Sequence, residues 1–117
     1  MAQKKNPLNL NALQLKTLTL MQEMARSERH ASPAEGGGVE IGNFPHAHGN
    51  HFHLGDCVVM TADATGLGNP SVWKALERKG LIRPLLSPTA PVAAVVTEAG
   101  LTYETGLADE ILHRADH

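Results

Sequence analysis

Apolar positions recur with helical spacing near both ends of the chain and alternate with polar ones in between. From Leu8 to Ser27 the spacing predicts one long helix. On its wheel Leu10, Leu13, Leu20, Met21 and Met24 share a face, and Leu8, Leu15, Leu18 and Ala25 share a second. Lys16, Thr19 and Glu23 form a narrow polar stripe between them. A helix this apolar needs cover on more than one side. Two readings stay open for it: a central core helix, or a homodimer interface. Residues 28–38 (ERHASPAEGGG) are expected to be a loop, because Ser32-Pro33 and three consecutive glycines propagate neither helix nor strand well.

Residues 39–60 read as a β-hairpin. Val39-Glu40-Ile41 and Phe52-His53-Leu54 alternate as half-buried strands do. Gly49-Asn50 is a good two-residue turn, with glycine supplying the positive φ. That turn sets His48 opposite His51 and His46 opposite His53, and all four rings on one side of the hairpin. Ala47, Phe52 and Leu54 point to the other side. Residues 60–66 are expected to form a short helix, with Thr61 as a candidate cap.

The stretch GLGNPSVWKALERKGLIR, residues 66–83, punctuates itself at both ends. Asn69 is placed to cap a helix, and Pro70 suits the first helical position, where a missing N–H costs nothing. Val72, Ala75, Leu76 and Lys79 keep the i, i+3, i+4, i+7 spacing. Gly80 suits the left-handed residue after a helix, with Leu81 folding back on Leu76. Leu81 to Leu86 and Val92 to Val96 are expected to pair as a hairpin around residues 87–91. Thr97 is placed to cap a final helix running to about residue 114, with Leu101, Ala108, Ile111 and Leu112 on its apolar face. Gly106 is a point where that helix breaks in two.

Composition sets the bounds. The 117 residues fit one domain, 42% hydrophobic and 19% charged. With two Phe, one Tyr and one Trp, the core must be built mainly from Leu, Val, Ala and Met. One cysteine, Cys57, excludes an internal disulfide and suits a reducing, cytoplasmic setting. No signal peptide or membrane-length apolar run is evident, so no membrane partner is expected. The net charge is −2, yet it is unevenly spread. Lys74, Arg78, Lys79 and Arg83 face only Glu77 in residues 69–83, whereas residues 98–117 are acidic.

Residues 60–105 resemble bacterial winged-helix transcriptional regulators. The resemblance is carried by Gly66-Leu67, by the run Leu76 to Ile82 with its leucine–charged–charged–Gly–Leu pattern, and by Thr97-Glu98-Ala99-Gly100. It implies a recognition helix over residues 70–80, a two-stranded wing and a last helix. The expected fold is therefore α+β: a winged-helix-like domain with a long N-terminal helix (8–27), a His-rich hairpin (39–60), a helix-turn-helix and wing (61–105) and a C-terminal helix (98–114). Lys and Arg neutralise phosphates, and Arg or Asn reads base edges. The DNA contacts are then expected from Asn69, Ser71, Lys74 and Arg78, with Arg83 at the wing root. Trp73 is expected in the core, with base stacking as its alternative.

His46, His48, His51 and His53 form a second candidate site. Neutral imidazoles ligate zinc, nickel and copper, and rings roughly 5 Å apart across a strand pair can share an ion. Zinc or nickel is the expected metal, and the alternative is a set of chemically idle surface histidines. His46-x-His48-x-x-His51 resembles the metal motif of metallo-β-lactamase-like hydrolases, but Asn50 stands where that family has an acid, and the chain is far shorter. Cys57 reads as a small buried hydrophobe. No nucleophile elbow, P-loop or dinucleotide fingerprint is present. The expectation is a non-enzymatic, dimeric DNA-binding regulator. The alternatives are a protein-interaction module without DNA binding and a metal-binding or metal-sensing protein.

Overall fold

The computed structural model describes residues 8–34, 36–42, 49–54, 57–86 and 91–114. They form an α+β fold in which helix α1 (Ala12–Ala25) lies against the first of two antiparallel sheets, and the second sheet adds Phe52, Leu54 and Val59 to the same core. The first sheet has the order β1 (Ala31–Pro33), β2 (Val39–Ile41), β6 (Pro91–Val96), β5 (Ile82–Leu86). The second has the order β3 (His51–Leu54), β4 (Cys57–Met60), β7 (His113–Arg114). Helix α2 (Pro70–Arg78) precedes the β5–β6 pair, and α3 (Glu98–Thr102) and α4 (Ala108–Ile111) follow it. Among the described residues no helix is long and apolar enough to cross a membrane.

Helix α1 starts later than its apolar spacing predicts, and local chemistry explains why. Asn11 Oδ1 accepts from the Gln14 N–H at 2.8 Å, and Gln14 Oε1 accepts from the Asn11 N–H at 3.0 Å. This reciprocal pair is a capping box and fixes the first turn at Ala12. Asn9, at φ +60°, turns the chain away just before it.

Leu18, Leu20, Met21 and Met24 are fully enclosed within the single chain. The central-helix alternative therefore describes α1. Leu8, Leu13, Leu15 and Ala25, the rest of the two apolar faces, are half-buried against the same core. Thr19, expected on a polar stripe, is instead buried. Its hydroxyl and that of Thr105 are hydrogen-bonded to each other, and it also donates to Leu15 O at 2.8 Å. Gln22 is buried too. Its Nε2 donates to Gly100 O at 2.7 Å and to Tyr103 O at 2.8 Å. Among the described residues no buried side-chain N or O lacks a partner, which is what makes these polar positions tolerable in a core.

The other stripe residues stay at the surface. Lys16 pairs with Asp63 and Glu23 with Arg26, each at 3.0 Å.

The expected hairpin over 39–60 is split between the two sheets. Val39–Ile41 pairs with Ala31–Pro33 on one side and with β6 on the other, in the register Val39↔Val96 and Ile41↔Ala94. Residues 31–33, expected as loop, thus form an edge strand. Pro33 sits at the edge, where a missing donor is harmless. Gly36, Gly37 and Gly38 all have positive φ and carry the chain from β1 to β2. His30, 7% exposed, closes the open end of this pair: its Nδ1–H donates to Gly42 O at 3.2 Å, and Gly42 N–H donates to His30 O at 2.9 Å.

The strand His51–Leu54 finds its partner in Cys57–Met60, across residues 55 and 56. Two short 3-10 turns, Thr61–Asp63 and Thr65–Gly68, replace the helix expected before α2, and Thr61 caps neither through its side chain.

The β5–β6 pairing agrees with the expected wing strands, with Ile82↔Val96, Arg83↔Val95 and Pro84↔Ala94 in register. Pro84 again lies in an edge strand. Thr97 caps α3 as expected, its Oγ1 accepting from Gly100 N–H at 3.1 Å. The C-terminal helix expected over 98–114 is broken between Thr102 and Ala108, a gap that contains Gly106 at φ +73°. It ends at Ile111 and gives way to β7.

Candidate nucleic-acid interface and histidine face

Helix α2 is built from its own caps. Asn69 Oδ1 accepts from Ser71 N–H at 3.0 Å, and Pro70 takes the first helical position. At the other end Gly80, at φ +77°, lets its N–H reach Glu77 O at 2.9 Å and the Leu81 N–H reach Leu76 O at 3.0 Å. This is the paired bond of a Schellman cap.

Val72, Trp73 and Leu76 are buried and set the rotation of the helix. Trp73, 1% exposed, also donates its indole N–H to Leu67 O at 3.1 Å. It is a core residue, so the base-stacking alternative has no exposed ring to use.

With that rotation Ser71, Lys74 and Arg78 face solvent. At about 100° per residue they fall within roughly 60° of arc. Glu77, also exposed, flanks this strip on the Lys74 side, and Lys79 lies at the helix C-cap. Among the described residues none of Lys74, Arg78, Lys79 and Arg83 takes part in an ion pair. Lys74 and Arg78 are like charges at i, i+4, an arrangement that costs a helix about 0.2–0.5 kcal/mol.

Asn69 is half-buried. Its side-chain oxygen serves the helix cap and leaves the amide N–H groups as its outward donors. Arg83 is exposed as the second residue of β5, four positions after the C-cap of α2. Four of the five expected contacts thus belong to one helix and its cap, and the fifth to the adjoining strand.

The histidine face is partly described. His51 and His53 lie on the same side of β3, while Phe52 and Leu54 are buried on the other, as the alternation predicts. Their ring centroids are 5.5 Å apart with planes at 78°. His46 and His48 lie outside the described residues, as does the pairing expected to bring them opposite His53 and His51. Gly49 does adopt a positive φ of +75°, but the described partner of this turn is Thr61: its N–H donates to Asn50 O at 2.8 Å and its Oγ1 donates to Gly49 O at 3.3 Å.

Across the sheet the register sets Met60 opposite His51, and Val58 opposite both His53 and His113. Met60 and His113 are additions that the misassigned hairpin hid. Choosing residues 55–56 as the two-residue connection would have shown Met60. Among the described residues no three His, Cys, Asp or Glu side chains are grouped to hold a metal ion.

In comparisons with family models, curated proteins and solved structures, nothing matches the chain.

Proposed function

We propose that this chain is a non-enzymatic DNA-binding regulator that reads duplex DNA with the outer face of α2. The observation that carries the reading is the strip of Ser71, Lys74 and Arg78, exposed and without an ion pair among the described residues. Two like charges at i, i+4 are a cost to the free helix, and phosphate groups remove that cost.

The order of elements supports the same reading. A doubly capped helix leads directly into an antiparallel hairpin, and a Thr-capped helix follows, as the winged-helix resemblance implies. Lys74 and Arg78 neutralise phosphates. Ser71 and the Asn69 amide lie at the helix start, the end from which recognition helices reach base edges. Arg83 binds the backbone beside them.

The test is fluorescence anisotropy on a labelled random-sequence duplex across a salt series. Binding should weaken as salt rises, because each neutralised phosphate releases counterions. Lys74→Ala and Arg78→Ala should each lower the salt slope by about one. The double reversal Lys74→Glu with Arg78→Glu should abolish binding without changing the fold. A wild-type protein that ignores duplex DNA at low salt would instead favour a protein partner on this helix. Unchanged affinity in the double reversal would remove α2 from the interface.

A further inference from the structure

We infer that the outer face of the β3–β4 pair is a copper(I) site made by the imidazoles of His51 and His53 and the thioether of Met60. This goes beyond the DNA reading and does not depend on it. Register is the starting point. His51 and Met60 are direct cross-strand partners, so their side chains leave the same face with Cβ atoms about 4.5–5.5 Å apart. His53 is two residues along on that face, and its ring already touches that of His51 edge to face at 5.5 Å. Met60 and His53 are then diagonal neighbours on that face, roughly 7–8 Å apart and within reach of long side chains. Beneath the opposite side of the strands lie Phe52, Leu54 and Val59, all buried, which hold the strand pair in place.

Exposure is the second strand of support. Met60 is 38% exposed, one of two large hydrophobic residues left at the surface among the described residues. Burying it would be the ordinary use of a methionine; here the side chain is left at the surface on the face that carries two imidazoles. His51 is also held by a neighbour. Its Nδ1 is 3.2 Å from Asn50 Oδ1, a contact that orients the ring and leaves Nε2 as the nitrogen for an ion. Asn50 is itself anchored, since its carbonyl accepts from Thr61 N–H at 2.8 Å. This is the outer-shell support that metal-binding histidines usually have.

The donor set selects the ion. Thioether and imidazole are soft to borderline ligands, and a methionine sulfur favours copper(I) over zinc or nickel. All three donors are neutral, so a monovalent ion leaves less uncompensated charge than a divalent one. Methionine's three rotatable bonds let the sulfur close on the ion without moving the strands.

The test is an anaerobic copper(I) titration of the untagged protein against bicinchoninate with excess ascorbate, followed by NMR of histidine rings and methionine methyls. We expect one equivalent bound, with shifts of the Met60 methyl and of the His51 and His53 rings. Met60→Leu, nearly isosteric on an exposed face, should weaken copper(I) at least tenfold and leave zinc(II) affinity unchanged. Asn50→Ala should weaken it about tenfold through loss of ring orientation. No copper(I) taken from the competitor would overturn the site. So would copper binding that survives Met60→Leu at full strength, or binding that is lost in His46→Ala with His48→Ala and untouched by Met60→Leu. Lys74→Glu with Arg78→Glu should leave copper binding as it is, which separates failure here from failure of the DNA reading.

Discussion

Residues 69–81 and residues 39–60 were built by different rules. The first stretch carries its boundaries within itself: Asn69 caps the N–H of Ser71, Pro70 begins the helix, and Gly80 and Leu81 close it on Glu77 and Leu76. The second stretch contains two places where a two-residue turn fits, and one of its strands pairs only with residues outside it. Val39–Ile41 is claimed by β6 and β1, and His51–Leu54 by Cys57–Met60. Local hydrogen-bond chemistry defines a helix end in a few residues, whereas a strand remains ambiguous until its partner is known.

The sharpest way to break this contrast is to remove a long-range anchor. Ile41→Ala deletes a fully buried side chain in β2, and should cost about 2–5 kcal/mol, read as a lower midpoint in urea unfolding. A loss under 1 kcal/mol would mean that β2 contributes little to the fold. Next comes Gly80→Ala. Nothing lies within 4 Å of the added Cβ, so the whole penalty is the left-handed backbone at φ +77°. It should cost about 1–2 kcal/mol. Asn69→Ala removes only the cap, and should lower stability by about 1 kcal/mol, with Asn69→Ser restoring most of it in the same assay. The smallest effect is expected from His53→Ala. Its ring is exposed on the outer face of β3, so the thermal midpoint should stay within the equivalent of about 0.5 kcal/mol. A larger drop would make His53 a structural residue and would weaken the case for an accessible ligand.

These expectations also mark what could be read from the residues alone. The bounds of α2, the solvent face of Ser71, Lys74 and Arg78, the core place of Trp73, the β5–β6 pair and the break at Gly106 all follow from near neighbours in sequence. The fate of Thr19 and Gln22 did not. Their partners, Thr105, Gly100 and Tyr103, are 78 to 86 residues away, and no helical wheel shows them. The start of α1 was legible in principle, because Asn11 and Gln14 have capping-box spacing. The continuous run of leucines around them obscured it.

The histidine site was half legible. The common face of His51 and His53 follows from alternation, but the thioether beside them depends on a register that the sequence left open between two turns.

Close approach adds a constraint of another kind. A Cβ on Gly100 would run into the backbone carbonyl of Leu81, so α3 lies against the chain just beyond α2 where only a glycine fits.

The buried bond between Thr19 and Thr105 also has a consequence for the order of events at the ribosome. Thr19 is translated 86 residues before its partner. At roughly 5–20 residues per second that interval is on the order of ten seconds. Throughout it Thr19 and Gln22 lack their long-range partners, and the leucine faces around them have no complete cover. The nascent helix is therefore a natural client for a chaperone that binds short apolar segments, and the emergence of residues 100–105 is the step that covers its polar positions.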